Sequence, residues 1–157
     1  MKLTLLATVA LLTAFPAFAQ PGVQVIDPYA RVIGPSGAVY FRLTNHQGKD
    51  EALLSATSPD AGMVMLMESA ADAKGVMQMK DMAAGFAIKP DADYVLGSAG
   101  GHVMLMDLTR KIKAGDTITL VLTFKNAGEV TVKIPVDNKR TADPGMGPTP
   151  NDAASAE

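Results

Sequence analysis

The chain has 157 residues and a mass of 16.4 kDa, which is about one domain. Apolar residues make up 48% and charged residues 19%, enough for a packed core and against wholesale disorder, and a net charge of −2 without a basic stripe argues against nucleic-acid binding. The absence of cysteine excludes disulfides, thiolate catalysis, iron–sulfur and zinc-ribbon sites, and the cysteine ligand of blue copper.

Residues 1–19 read as a secretory signal peptide. Lys2 supplies the positive start, Leu3 to Leu12 the apolar stretch, and Ala17-Phe18-Ala19 the small-x-small cleavage site. Cleavage would leave a chain beginning at Gln20, with 13 positive and 16 negative side chains. No later stretch is long and apolar enough for a transmembrane helix, so the expected location is a bacterial periplasm.

The remainder reads as all-β. Predicted strands, in order, are Val23–Asp27, Tyr29–Ile33, Ala38–Asn45, Ala52–Thr57, Val64–Glu68, Val76–Met82, Tyr94–Leu96, His102–Thr109, Thr117–Phe124 and Glu129–Val136. Turn chemistry separates them, as in Gly34-Pro35-Ser36-Gly37, His46-Gln47-Gly48-Lys49, Lys89-Pro90-Asp91 and Ala114-Gly115-Asp116. The clearest alternation sets Ile118, Leu120, Leu122 and Phe124 against Thr117, Thr119 and Thr123. Val130, Val132, Ile134 and Val136 continue it, giving a hairpin across Asn126–Gly128. So many short strands predict a two-sheet sandwich or Greek-key barrel over residues 20–137. From 138 to 157 the chain is rich in Pro, Gly and small polar residues and reads as a disordered tail.

Eight of the 10 methionines lie between Met63 and Met106. Three segments carry seven of them: Met63-Val64-Met65-Leu66-Met67-Glu68, Val76-Met77-Gln78-Met79 and His102-Val103-Met104-Leu105-Met106. In each, the methionines fall at i and i+2, which places them on one face of a strand. Two readings stand side by side. Methionine is a flexible core filler, and this chain is poor in aromatics. Alternatively, paired thioethers beside an imidazole make a soft-metal site. Neutral, polarisable thioethers suit Cu(I), whereas zinc, calcium and magnesium want other donors. The lack of cysteine disfavours a blue-copper electron carrier, and two histidines at most disfavour a copper oxidase.

On these residues the sequence resembles the periplasmic copper chaperones of the PCu(A)C family (the DUF461 group), over about Val23 to Val136. That family carries Met or His, a spacer, Met, a longer spacer, and then His-x-Met. Met67, Met79 and His102-Val103-Met104 match these places, and the spacers of eleven and twenty-two residues are each one longer than the family's. Asp27-Pro28-Tyr29-Ala30-Arg31, Ala38 to Asn45 and Gly115-Asp116 also look like the family. The resemblance implies a cupredoxin-like β-sandwich holding one Cu(I) per chain through Met67, Met79, His102 and Met104. It further implies copper delivery to cytochrome oxidase assembly, at the CuA centre of its copper subunit, alongside a Sco-type thiol protein. The chain is expected to act as a monomer.

The other candidates carry smaller roles. His46 sits in a turn and matches no ligand position. Met106 is expected to pack in or beside the core. Met63, Met65, Met77 and Met82 form an apolar rim or offer secondary contacts. Met65 and Met77 are the alternatives to their neighbours as ligands. Asp91, Asp93 and Asp116 read as turn formers. No nucleophile–base pair or phosphate loop suggests an enzyme. The competing class is an exported β-sandwich scaffold with a methionine-rich core and no metal.

Overall fold

A computed structural model describes residues 22–98, 100–141 and 143–144. The expected signal segment lies outside them, as does most of the expected tail. The described residues form ten strands: β1 Val23–Ile33, β2 Ser36–Asn45, β3 Glu51–Thr57, β4 Ala61–Ala71, β5 Met77–Asp81, β6 Phe86–Ile88, β7 Asp93–Leu96, β8 Gly101–Leu108, β9 Thr117–Phe124 and β10 Gly128–Pro135. No helix among them is long and apolar enough to cross a membrane.

The strands make two sheets, a six-stranded one in the order β1-β2-β7-β8-β4-β5 and a four-stranded one in the order β10-β9-β3-β6. The chain crosses between sheets from β2 to β3, β3 to β4, β5 to β6, β6 to β7 and β8 to β9. This is the all-β two-sheet sandwich expected from the strand count, with the cupredoxin-like fold that the resemblance implied.

The core lies between the sheets and follows the period-two rule. Val39, Phe41 and Leu43 of β2 and Val103 and Leu105 of β8 face Leu53, Phe86, Ile118, Leu120, Leu122 and Ile134 of the other sheet. Each fully buried large side chain contributes roughly 1.5–3 kcal/mol, and burial of this kind stabilises a fold that has no disulfide.

Two expected strands, Val23–Asp27 and Tyr29–Ile33, are one. β1 pairs with β2 on both sides of a register shift between Ile26 and Tyr29. Asp27 there has φ 53°, a conformation that aspartate tolerates, so the Asp27-Pro28 signal marks a bulge and not a break. β6 was not predicted, because Phe86-Ala87-Ile88 is too short to show a period. β4 is longer than expected, running to Ala71 before a turn capped by Asp72, whose Oδ1 accepts from the N–H of Lys74 and Val76.

The chain stays packed beyond the expected domain boundary at 137. Asn138 Oδ1 accepts from Val32 N at 2.7 Å, and Arg140 forms a bidentate ion pair with Asp27 while stacking 4.4 Å over the Tyr29 ring. Asp143 Oδ1 accepts from the backbone and hydroxyl of Ser98.

Gly101 shows how the core constrains the site. A Cβ there would come within 2.9 Å of the buried Phe86 ring. Gly101→Ala is therefore expected to destabilise the fold by about 1–2 kcal/mol through overpacking and to shift its neighbour His102. Thermal unfolding and the His102 ring NMR signals would report the two effects; a variant as stable as the parent with an unmoved ring signal would contradict the tight packing.

Candidate metal centre

Seven of the eight methionines among the described residues do not pack into the core. β4 and β8 are antiparallel neighbours, and Met67 stands opposite His102, Met65 opposite Met104, and Met63 opposite Met106. The inward positions between them, Leu66, Val103 and Leu105, are buried. Opposed residues share a face, so all six outward positions form one ladder on the outer surface of the six-stranded sheet. The expectation that Met106 packs in or beside the core is corrected here, because that residue lies on the solvent face and is 38% exposed. Only Met82 among these methionines packs against the core.

β5 extends the ladder. It pairs with β4 so that Asp81 faces Met67, Met79 faces Ser69 and Met77 faces Ala71. Met79 is thus the diagonal neighbour of Met67, about 7–8 Å away between backbones, within reach of two flexible thioethers. Met77 lies one further pair along the strand, which favours Met79 as the partner of Met67. The four residues taken from the sequence, Met67, Met79, His102 and Met104, are therefore adjacent on one face. Met65 is equally close to Met104, so the geometry keeps it beside the set. His46 lies in the β2–β3 connection, away from this face.

His102 is the most firmly held of the four in the structure. It is 3% exposed, the most buried of the four. Its Nδ1 lies 3.3 Å from the carbonyl of Gly100, which also accepts from Ser69 N at 3.0 Å. In the tautomer that protonates Nδ1, the ring donates to Gly100 and leaves the Nε2 lone pair for a ligand. Tyr40 of β2 lies on the other side, with its ring centroid 6.2 Å from that of His102, and Tyr29 follows at 5.1 Å from Tyr40. Sequence reasoning gave Tyr40 no role. The alternation of β2 puts Tyr40 on the outward face, and that was the available signal.

The electrostatics are those of a soft site. Burial, reinforced by Tyr40, pushes the Tyr29 hydroxyl up to about 12, and burial also raises Tyr40. Both stay neutral phenols and offer no phenolate. Among the described residues no group of three His, Cys, Asp or Glu side chains could hold an ion. The donors gathered here are thioethers and one imidazole, a set that fits Cu(I) and suits harder divalent ions poorly.

A two-sheet cupredoxin-like domain with its methionines and one histidine on a single outer face defines the class. The chain belongs to the LpqE-like family, the DUF461/PCuAC group, whose model, described as "Putative lipoprotein LpqE-like", matches residues 23–136. A similar protein is "Putative lipoprotein Lxx21020" of Leifsonia xyli subsp. xyli, 25% identical over 73% of this chain and 69% of its own length. Among solved structures, the copper-bound PCuAC domain from PmoF2 matches with a TM-score of 0.62 at 20% identity, over 76% of this chain and 96% of that one, and shows the shared fold. Apo-DR1885 from Deinococcus radiodurans matches at 0.51 and 28% identity, over 87% of this chain and 96% of its own. Its CuI form matches at 0.51 and 26%, over 78% and 82%.

Proposed function

We propose that this protein is an exported Cu(I) carrier that holds one ion per chain through Met67, Met79, His102 and Met104 and hands it to another copper protein. The observation that carries the reading is the placement of the methionines around His102 on the outer sheet face, where a scaffold with a methionine-rich core would have buried them. Membership of the PCuAC group and two structural neighbours that hold copper, the copper-bound PmoF2 domain and CuI-DR1885, support it.

The mechanism is ligand exchange. The strands of β4 and β8 hold their donors in register before the ion arrives, which reduces the ordering cost of binding. His102 is fixed by Gly100 and Tyr40, and Met104 is partly buried beside it. Met79, on the edge strand β5, is 58% exposed. It is the ligand best placed to leave when an incoming thiolate or thioether adds. The cargo remains Cu(I) throughout, and no bond of the protein is made or broken. Delivery to the copper subunit of cytochrome oxidase, at CuA, with or without a Sco-type thiol protein, is the destination we propose. The protein itself is a periplasmic, monomeric carrier and not an enzyme.

An anaerobic titration against a chromophoric Cu(I) chelator tests binding, and mixing the loaded protein with an apo CuA domain or a dithiol Sco-type protein tests delivery. Methionine oxidation gives a second check. Under mild peroxide, peptide mapping is expected to find Met63, Met77, Met79 and Met106 oxidised readily in the apo protein, because all four are exposed. One equivalent of Cu(I), added anaerobically and replaced by Ag(I) for the peroxide step, is expected to protect Met79 and leave Met77 reactive. Equal oxidation of both would contradict the assignment of Met79.

A further inference from the structure

The outer face holds more thioethers than one ion needs. Beyond the four ligands, Met63, Met65 and Met106 complete the ladder, with Met65 opposite Met104 and Met63 opposite Met106. These two rungs outline a rectangle about 5 Å across the strands and about 7 Å along them, which four flexible thioethers can close over a single ion. Apolarity alone does not explain the choice of residue. Strands favour Val, Ile, Thr and aromatic side chains, and a solvent-facing row is ordinarily polar. Here every outward position of Met63–Met67 is methionine, and those of His102–Met106 are one histidine and two methionines, while the inward positions are Val64, Leu66, Val103 and Leu105. Met63 and Met106 are 51% and 38% exposed, so their sulfurs are open to an approaching ion.

We propose that Met63, Met65, Met104 and Met106 form a second, all-thioether site for a soft monovalent cation, Cu(I) in the first instance, adjoining the His102 site and sharing Met104 with it. The proposal rests on the reading of this face as a Cu(I) surface. Lacking an imidazole, the second site binds more weakly than the first. The shared Met104 lets an ion step between them: it stays bound while Met67, Met79 and His102 leave and Met63, Met65 and Met106 add. The thioethers are neutral before and after, so the step moves no proton and changes no oxidation state. A cleft of about 230 Å³, lined by Arg31, Ile33, Ala38, Tyr40 and Met104, opens beside the shared ligand and gives a partner's donor room to approach.

The test is an anaerobic Cu(I) titration of the purified protein against chelators of two affinities, read together with methionine methyl NMR. The expected result is two equivalents, the second weaker and moving the Met63 and Met106 methyl signals. Met63→Leu with Met106→Leu, at exposed positions where leucine conserves volume, is expected to remove the second equivalent and keep the first. Met67→Leu with His102→Ala is expected to remove the tight equivalent and keep the weak one. One equivalent only, with the Met63 and Met106 signals unmoved, overturns this proposal and leaves the His102 site standing. A second equivalent that survives the Met63/Met106 substitutions also overturns it. A folded protein that binds no Cu(I) overturns both.

Discussion

His102→Ala combined with Met104→Leu is expected to weaken Cu(I) binding by about 100-fold or more while leaving the β-sandwich folded. The scale follows from metal sites generally, where even the loss of a residue that only orients a ligand costs about 10–100-fold in affinity. Here the two residues removed are neighbouring members of the proposed ligand set on one strand. His102 supplies the one imidazole, and its ring is oriented by Gly100 and flanked by Tyr40. Met104 stands two residues along, on the same face, opposite Met65. The fold tolerates the change because both side chains point away from the core that Val103 and Leu105 enter. Competition against a chromophoric chelator measures the affinity, and far-UV circular dichroism checks the fold. Unchanged affinity in the folded double variant would remove these residues from the site.

Glu51→Ala is expected to destabilise the fold by about 3 kcal/mol, lowering the melting temperature on the order of 10 °C, without changing Cu(I) affinity in the folded protein. Glu51 is 2% exposed at the start of β3 and lies in the other sheet from the metal face. Its carboxylate accepts from the backbone N–H groups of Ala52, Asn126 and Ala127 and from the Gln47 amide, tying the β9–β10 hairpin turn to β3. Alanine leaves these donors without their acceptor. Burial alone would push the carboxyl up, but the three backbone hydrogen bonds and Gln47 outweigh it and hold it below the usual glutamate value. The sign of the pH dependence follows. With its folded pKa depressed, Glu51 stabilises the fold above the ordinary glutamate range, and that contribution is lost as pH falls through it towards the lowered value. Stability measured by chemical denaturation should therefore fall as pH drops below the ordinary glutamate range in the parent and fall less steeply in Glu51→Gln. Parallel profiles for the two proteins would show that Glu51 does not carry the effect.

The strands that alternate cleanly were legible in the sequence. Thr117–Phe124 and its hairpin partner appear within a residue of their predicted ends, because one face is buried and the other wet, and such a strand announces its register. Phe86–Ile88 was not legible, since three residues carry no period. The join of two predicted strands into β1 was missed because proline after aspartate signals a turn and a bulge alike. The methionine spacing told which residues of one strand share a face, but not which face is buried. That depends on the partner sheet, and local sequence does not encode it. Met106 was misplaced for this reason: a thioether looks the same to a sequence reader in a core or on a metal surface. The pairing of Met67 with His102, and the choice of Met79 over Met77, come from the register of β4 with β8 and β5. The roles of Tyr40 and Gly100 come from contacts between residues far apart in sequence, or from a backbone carbonyl that composition cannot reveal.

In the function proposed above, Cu(I) sits on this face, bound by sulfur and one imidazole nitrogen. Copper-edge X-ray absorption of the protein loaded anaerobically with one equivalent tests it most directly. The expected spectrum is that of reduced copper with a first shell dominated by sulfur and completed by a single histidine nitrogen, and the nitrogen contribution is expected to disappear in His102→Ala. A shell made of nitrogen and oxygen alone, or one unchanged by the His102 substitution, would contradict it.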